Sequence, residues 1–209
     1  ATPLPTETAT PTETATPGPS PTLTDTPTAT PLPSDTPTPT PGPATLFADG
    51  FESGDFSAWN QVNTGADGQA VVQSDLVKSG SFAAQLSASS AAGSNAYARA
   101  ILPQNSVELN VSGAFNIQVE GASGGNVPIF RIFDPSGTRL LTLYRQNLSG
   151  DAVWVTDHSS RWRTNGLLPL NTWATFTLHV ITNGNGASTI EVYQDGVLTV
   201  STTSANLGS

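Results

Sequence analysis

From Leu46 onward, apolar and polar residues alternate in short runs broken by Gly, Asn, Asp and Ser, which is the period of strands with one buried face. The pattern predicts strands over 46–52, 69–75, 81–88, 95–102, 111–119, 127–133, 138–145, 151–157, 160–164, 172–182, 187–194 and 197–203. Many short strands separated by turn residues indicate an all-β fold, an antiparallel sandwich or barrel. In "TWATFTLHVI" the residues Ala174, Phe176, Leu178 and Val180 share one face and predict core, while Thr175, Thr177 and His179 share the other. Ser188 to Thr203 reads as a hairpin about Asp195-Gly196, a pair suited to the two positive φ values of a type I′ turn. The Ala-rich stretch Ser81 to Leu102 predicts strands rather than a helix, because Gly93, the serines and Asn95 interrupt any helical period.

Before Ala44 the pattern is absent. Units such as "PTETATP" and "TPTPTPGP" recur there, 13 of the 17 prolines lie in this segment, and Leu4, Leu23 and Leu32 are its only large apolar side chains. Too little surface is available for burial to offset chain entropy, so residues 1–43 predict a disordered, extended stalk or linker with a reach of roughly 130 Å. Dense Thr beside Pro is also the composition of O-glycosylated stalks, with an unmodified linker as the plainer alternative. Such linkers resemble those that join domains of secreted and surface proteins of bacteria. The remaining 44–209 has the length of one domain.

The formal charge is −9, from 16 Asp and Glu against 7 Lys and Arg, and no basic residue precedes Lys78. That balance argues against nucleic acid or an anionic membrane surface as partner. With no cysteine, disulfides and thiolate metal sites are excluded. No apolar run reaches the roughly 20 residues a spanning helix needs, so membrane insertion is not expected.

Several stretches coincide with a known pattern: "FADGFESGDFSAW" (Phe47 to Trp59), "KSGSFAAQL" (Lys78 to Leu86), and "NTWATFTLHV" (Asn171 to Val180) followed by "IEVYQDGVL" (Ile190 to Leu198). Together they resemble a laminin-G-like or concanavalin A-like jelly roll, the fold of many lectin, carbohydrate-binding and glucanase domains. The resemblance implies a structural role for Trp59 and Trp173. It also implies further C-terminal strands beyond Ser209, so the chain reads as part of a longer protein with other domains. Asp49, Glu52 and Asp55 bring hard oxygens together in one loop, which suits calcium, and the resemblance implies structural calcium near the first strand; an ordinary acidic turn is the alternative.

Sugar recognition needs aromatic faces for stacking and planar polar groups for hydroxyls. Arg131, Tyr144, Trp154, His158, Trp162 and Arg163 lie on consecutive strands and turns from 127 to 164 and form the best candidate ligand set. Alternation sets Trp154 opposite Val153 and Val155, and Trp162 opposite Arg161 and Arg163, so each aromatic has core packing as its alternative role. No paired carboxylates at glycosidase spacing and no nucleophile elbow are present. These features predict a non-catalytic extracellular module that binds a polysaccharide or glycan, or serves adhesion, on its stalk. The alternatives are a structural, protein-contacting spacer and a polysaccharide lyase, for which Tyr, His and Arg are at hand.

Overall fold

The computed structural model of the chain describes Gly18 and residues 44–147, 151–184 and 186–208. The expected stalk therefore lies, Gly18 apart, outside the described residues. Pro43–Ser209 is one unit. Its strands are β1 (Gln61–Gly65), β2 (Gln69–Gln73), β3 (Ala83–Ser87), β4 (Asn95–Arg99), β5 (Glu108–Asn116), β6 (Asn126–Phe133), β7 (Arg139–Gln146), β8 (Ala152–Thr156), β9 (Arg161–Leu167), β10 (Trp173–Ile181), β11 (Ser188–Gln194) and β12 (Val197–Ala205). No helix occurs among the described residues, so none is long and apolar enough to cross a membrane.

The strands form an antiparallel sandwich. One four-stranded sheet has the order β12-β11-β10-β5 and the other β6-β7-β8-β9, with the pairs β1-β4 and β2-β3 beside them. Between the two larger sheets lies the core. Ala174, Phe176, Leu178 and Val180 of β10 and Ile190 and Val192 of β11 meet Leu141, Leu143, Val153 and Val155 of the opposite sheet. This is the face that alternation predicts for β10, because successive side chains of a strand point to opposite sides. The β11–β12 hairpin turns as expected: Asp195 and Gly196 have φ of 50° and 81°, the mirror-image turn that matches strand twist. Asp195 Oδ1 also accepts a hydrogen bond from the Thr175 backbone at 2.9 Å, tying the turn to β10.

Two elements depart from the alternation. Residues 46–52 form no strand, and β1 at Gln61–Gly65 takes the place expected for a first strand. The cause is local. Asp49 Oδ1 accepts the Phe51 N–H at 2.9 Å, an Asx-type turn that moves Phe51 to a φ of 64°. Its other oxygen accepts the Trp59 indole N–H at 2.6 Å, and Phe51 stacks on Trp59 with centroids 5.8 Å apart. The apolar residues of "LFADGF" thus serve an aromatic loop cluster rather than a sheet face.

A charged group sits on the core side of the second sheet. Arg145, fully buried, follows Leu141 and Leu143 on the inward face of β7. Its guanidinium donates to the Leu168 carbonyl at 2.7 Å and to Asn147 Oδ1 at 3.0 Å, and it is paired with Glu120 and Asp151. At the far end of the same hairpin, Asp157 Oδ1 accepts the Ser159 and Ser160 N–H groups, and its Oδ2 accepts the Asn206 N–H at 2.6 Å. Burial disfavours charge on Asp157, yet these backbone donors prevail and hold its carboxyl below the usual carboxylate range. The carboxylate pins the segment after β12 onto the β8–β9 turn.

Candidate functional site on the outer face of the second sheet

Strand register decides which side chains meet on the face of β6-β7-β8-β9 turned away from the core. Directly paired residues of antiparallel strands share a face. Arg131 pairs with Thr142, Thr142 with Thr156, and Thr156 with Arg161, which makes one row across all four strands. Pro128 pairs with Tyr144, Tyr144 with Trp154, and Trp154 with Arg163, which makes the second. Pro128 is tolerated because β6 is the edge strand and shifts register just after it.

β7 is buried on both faces, so Thr142 and Tyr144 lie at the bottom of a trough. An open cavity of about 200 Å³ sits over them, flanked by Arg131, Arg139, Thr156, Pro128 and Asn126. The Thr142 hydroxyl oxygen, in a residue only 5% exposed, has no hydrogen-bond partner among the described residues. Neither has the buried indole nitrogen of Trp154. Buried polar atoms left unpaired are costly, and both lie in the two central strands of this sheet.

The face is also electropositive. Arg131, Arg139, Arg161 and Arg163 are four of the seven basic residues in a chain of net charge −9. The ion pairs among the described residues involve Arg145 and His179 and none of these four. Burial, then the charge of Arg139, lowers the Arg131 pKa from its ordinary value, while Tyr97 of β4 opposes the shift. Arg131 is exposed on this face beside a like charge, an arrangement that favours an approaching anion. Arg161 lies over the Trp154 ring, 5.3 Å from its centroid, a cation–π contact that orders both.

Of the side chains expected from sequence, Arg131, Tyr144, Trp154 and Arg163 come together on this face. Trp162 does not. It pairs with Val155 and packs against the core, as the alternation that sets it opposite Arg161 and Arg163 requires. His158 is exposed in the Asp157–Ser160 turn at the end of the β8–β9 hairpin. Arg139, Arg161 and Thr142 were not singled out from the sequence. Arg161 was within reach, since it shares a face with Arg163; Arg139 and Thr142 depend on the β6–β7 register.

The three loop carboxylates serve the fold. Asp49 holds Phe51 and Trp59, while the Glu52 carboxylate accepts the Ser81 and Phe82 backbone N–H groups. Asp55 Oδ1 accepts from Ser57 and from Ser53, which keep its carboxyl below the ordinary range. These are the three side chains expected to hold calcium, and no group of three His, Cys, Asp or Glu side chains among the described residues is arranged to hold a metal.

A second titratable group lies on the outer face of the other sheet. His179 of β10 bonds Glu191 of β11 through Nδ1 at 3.0 Å and Glu108 of β5 through Nε2 at 2.9 Å, and the Tyr193 hydroxyl donates to Glu191 at 2.9 Å. Both acids come from neighbouring strands, which is why no acid close in sequence signals them. Glu191 and then Glu108 raise the His179 pKa, and His179 and then Tyr193 lower that of Glu191. The folded state therefore binds the histidine proton more tightly than the unfolded chain. The contribution is complete below about pH 6.5 and is lost as pH rises through the folded pKa. Glu191 loses its share only as pH falls through its own lowered pKa, below about 4.3. Thermal melting is expected to show about 1 kcal/mol of stability lost on the alkaline side, with His179→Gln abolishing that dependence. An unchanged pH profile in the variant would count against the clamp.

No family model matches the chain, and no curated protein matches it. Among solved structures, the fold is similar to that of an endo-β-1,4-glucuronan lyase from the fungus Trichoderma reesei. The TM-score is 0.56 at 13% identity, over 74% of this chain and 75% of that one. At such identity the likeness is one of fold. It corrects the expectation of a non-catalytic module, because the same sandwich carries a polysaccharide-cleaving enzyme. Absence of glycosidase carboxylates is no argument against catalysis by elimination.

Proposed function

We propose that the outer face of β6-β7-β8-β9 binds an acidic polysaccharide and cleaves it by elimination, in a sandwich of the concanavalin A-like kind. The observation that carries this reading is the concentration, around Tyr144 and Trp154, of arginines that form no ion pair among the described residues in an otherwise acidic chain. The glucuronan lyase fold supports it. A uronate residue enters with its carboxylate against Arg131 and Arg139, which offset its charge and thereby acidify the hydrogen on the adjacent carbon. Tyr144, beside them, receives that proton on its phenol oxygen as it releases its own hydroxyl proton. The electron pair forms the ring double bond, the bond to the glycosidic oxygen breaks, and that oxygen leaves with the proton that Tyr144 releases. Trp154, with Arg161 over its ring, borders the site on the β9 side. The module acts outside the cell, carried on the Pro/Thr-rich segment as a stalk.

The test is incubation with polyglucuronate and with a neutral glucan, following unsaturated uronate ends by their ultraviolet absorbance. Cleavage of the acidic polymer alone is expected. Its binding should weaken steeply with salt, and Arg131→Ala should weaken it about ten- to a hundredfold, as for loss of a hydrogen bond to a charged group. Binding without cleavage would overturn the catalytic part of the reading, and binding to neither polymer would overturn all of it.

A further inference from the structure

The positive face is divided. The cavity containing Arg131 and Arg139 is lined by β6, β7 and β8, whereas a second, of about 330 Å³, is lined by Arg163, Thr164, Asn165 and Leu167 of β9, and no residue lines both. Trp154 sits on the saddle: it pairs with Tyr144 of the first cavity on one side and with Arg163 of the second on the other. β6 and β9 are the two outer strands of the sheet, so their backbones lie three strand spacings apart, roughly 14 Å. A carboxylate held by one guanidinium fork, whose bonds are under about 3 Å, does not span such a gap.

We propose that the two cavities are separate carboxylate subsites, so that the ligand recognised is a run of acidic sugars long enough to cross the Trp154 saddle. The proposal rests on the acidic-polysaccharide reading above and adds a length and charge-pattern requirement to it. Arg131 and Arg139 hold the carboxylate of the residue that reacts. Arg163, with Asn165 beside it, anchors a second acidic residue further along the chain, and the intervening sugar crosses Trp154 and the Arg161 guanidinium that lies over its ring. A ligand with a single acidic residue fills one cavity only.

The experiment is calorimetric titration of Tyr144→Phe protein, to suppress turnover, with glucuronic acid and with β-1,4-linked glucuronate oligomers of increasing length. Affinity is expected to rise in a step, about ten- to a hundredfold, at the length that first reaches the β9 cavity. Adding Arg163→Ala should remove that step and leave binding of the shortest ligands unchanged; Arg131→Ala should weaken every length. Affinity independent of length, or an Arg163→Ala loss equal for monomer and oligomer, would overturn the two-subsite proposal while leaving the acidic-sugar site standing. Failure of every acidic saccharide to bind would remove both.

Discussion

Removing the charges that face Arg145 is expected to cost the fold about 3–5 kcal/mol. The guanidinium has no exposure of its own, and four of its five N–H donors are taken by the Leu168 carbonyl, Asn147, and the carboxylates of Glu120 and Asp151. The two carboxylates are each about a third exposed, at 37%. Loss of Arg145 therefore leaves acids that water can reach, whereas loss of the acids leaves a cation that it cannot. The double variant Glu120→Gln with Asp151→Asn should accordingly be less stable than Arg145→Met, which should lose about 3 kcal/mol. For a domain of this size the double variant should melt about 10 °C lower. Urea denaturation of both variants decides the matter; midpoints within experimental error of the parent, or the reverse order, would mean that the charges are compensated elsewhere.

Tyr144→Phe is expected to lower turnover of an acidic polysaccharide about 10²- to 10⁴-fold, the range over which a positioned acid or base contributes. The substitution deletes one oxygen. The ring, 7% exposed on the twice-covered β7, keeps its packing, so affinity and melting temperature should stay close to the parent's. That separation matters, because truncation to alanine would also open the trough and confound binding with chemistry. Steady-state rates together with binding of uncleaved oligomers provide the readout. Turnover preserved in the phenylalanine variant would move the proton transfer to another group and leave Tyr144 a packing residue.

The strands were legible for a physical reason. Short half-buried strands alternate with a period of two, and β2 to β12 follow that period closely enough that their positions were expected from residue type alone. The core residues of β10 and the Asp195-Gly196 turn were equally plain, since each depends on the chain's local geometry. Leu46 to Glu52 misled because an Asx turn and a tryptophan ten residues away from Asp49 claim its apolar side chains, and alternation carries no record of such a partner. The site was half legible. Period two divides Trp162 from Arg161 and Arg163, but it does not say which face of a strand is the inner one.

By itself, the sequence determined an all-β fold, the Asp195-Gly196 hairpin turn, the inward face of β10 and an acidic chain with few cations. Those properties reside in residues close along the chain. Only the tertiary structure decided that four of those few cations converge on one sheet, that Trp154 faces outward while Trp162 packs inward, and that His179 meets two carboxylates. Each of these is a matter of cross-strand register and of sheet-on-sheet packing. A shift of one residue between paired strands would turn every such side chain to the opposite face, and nothing short of the assembled sandwich sets that register.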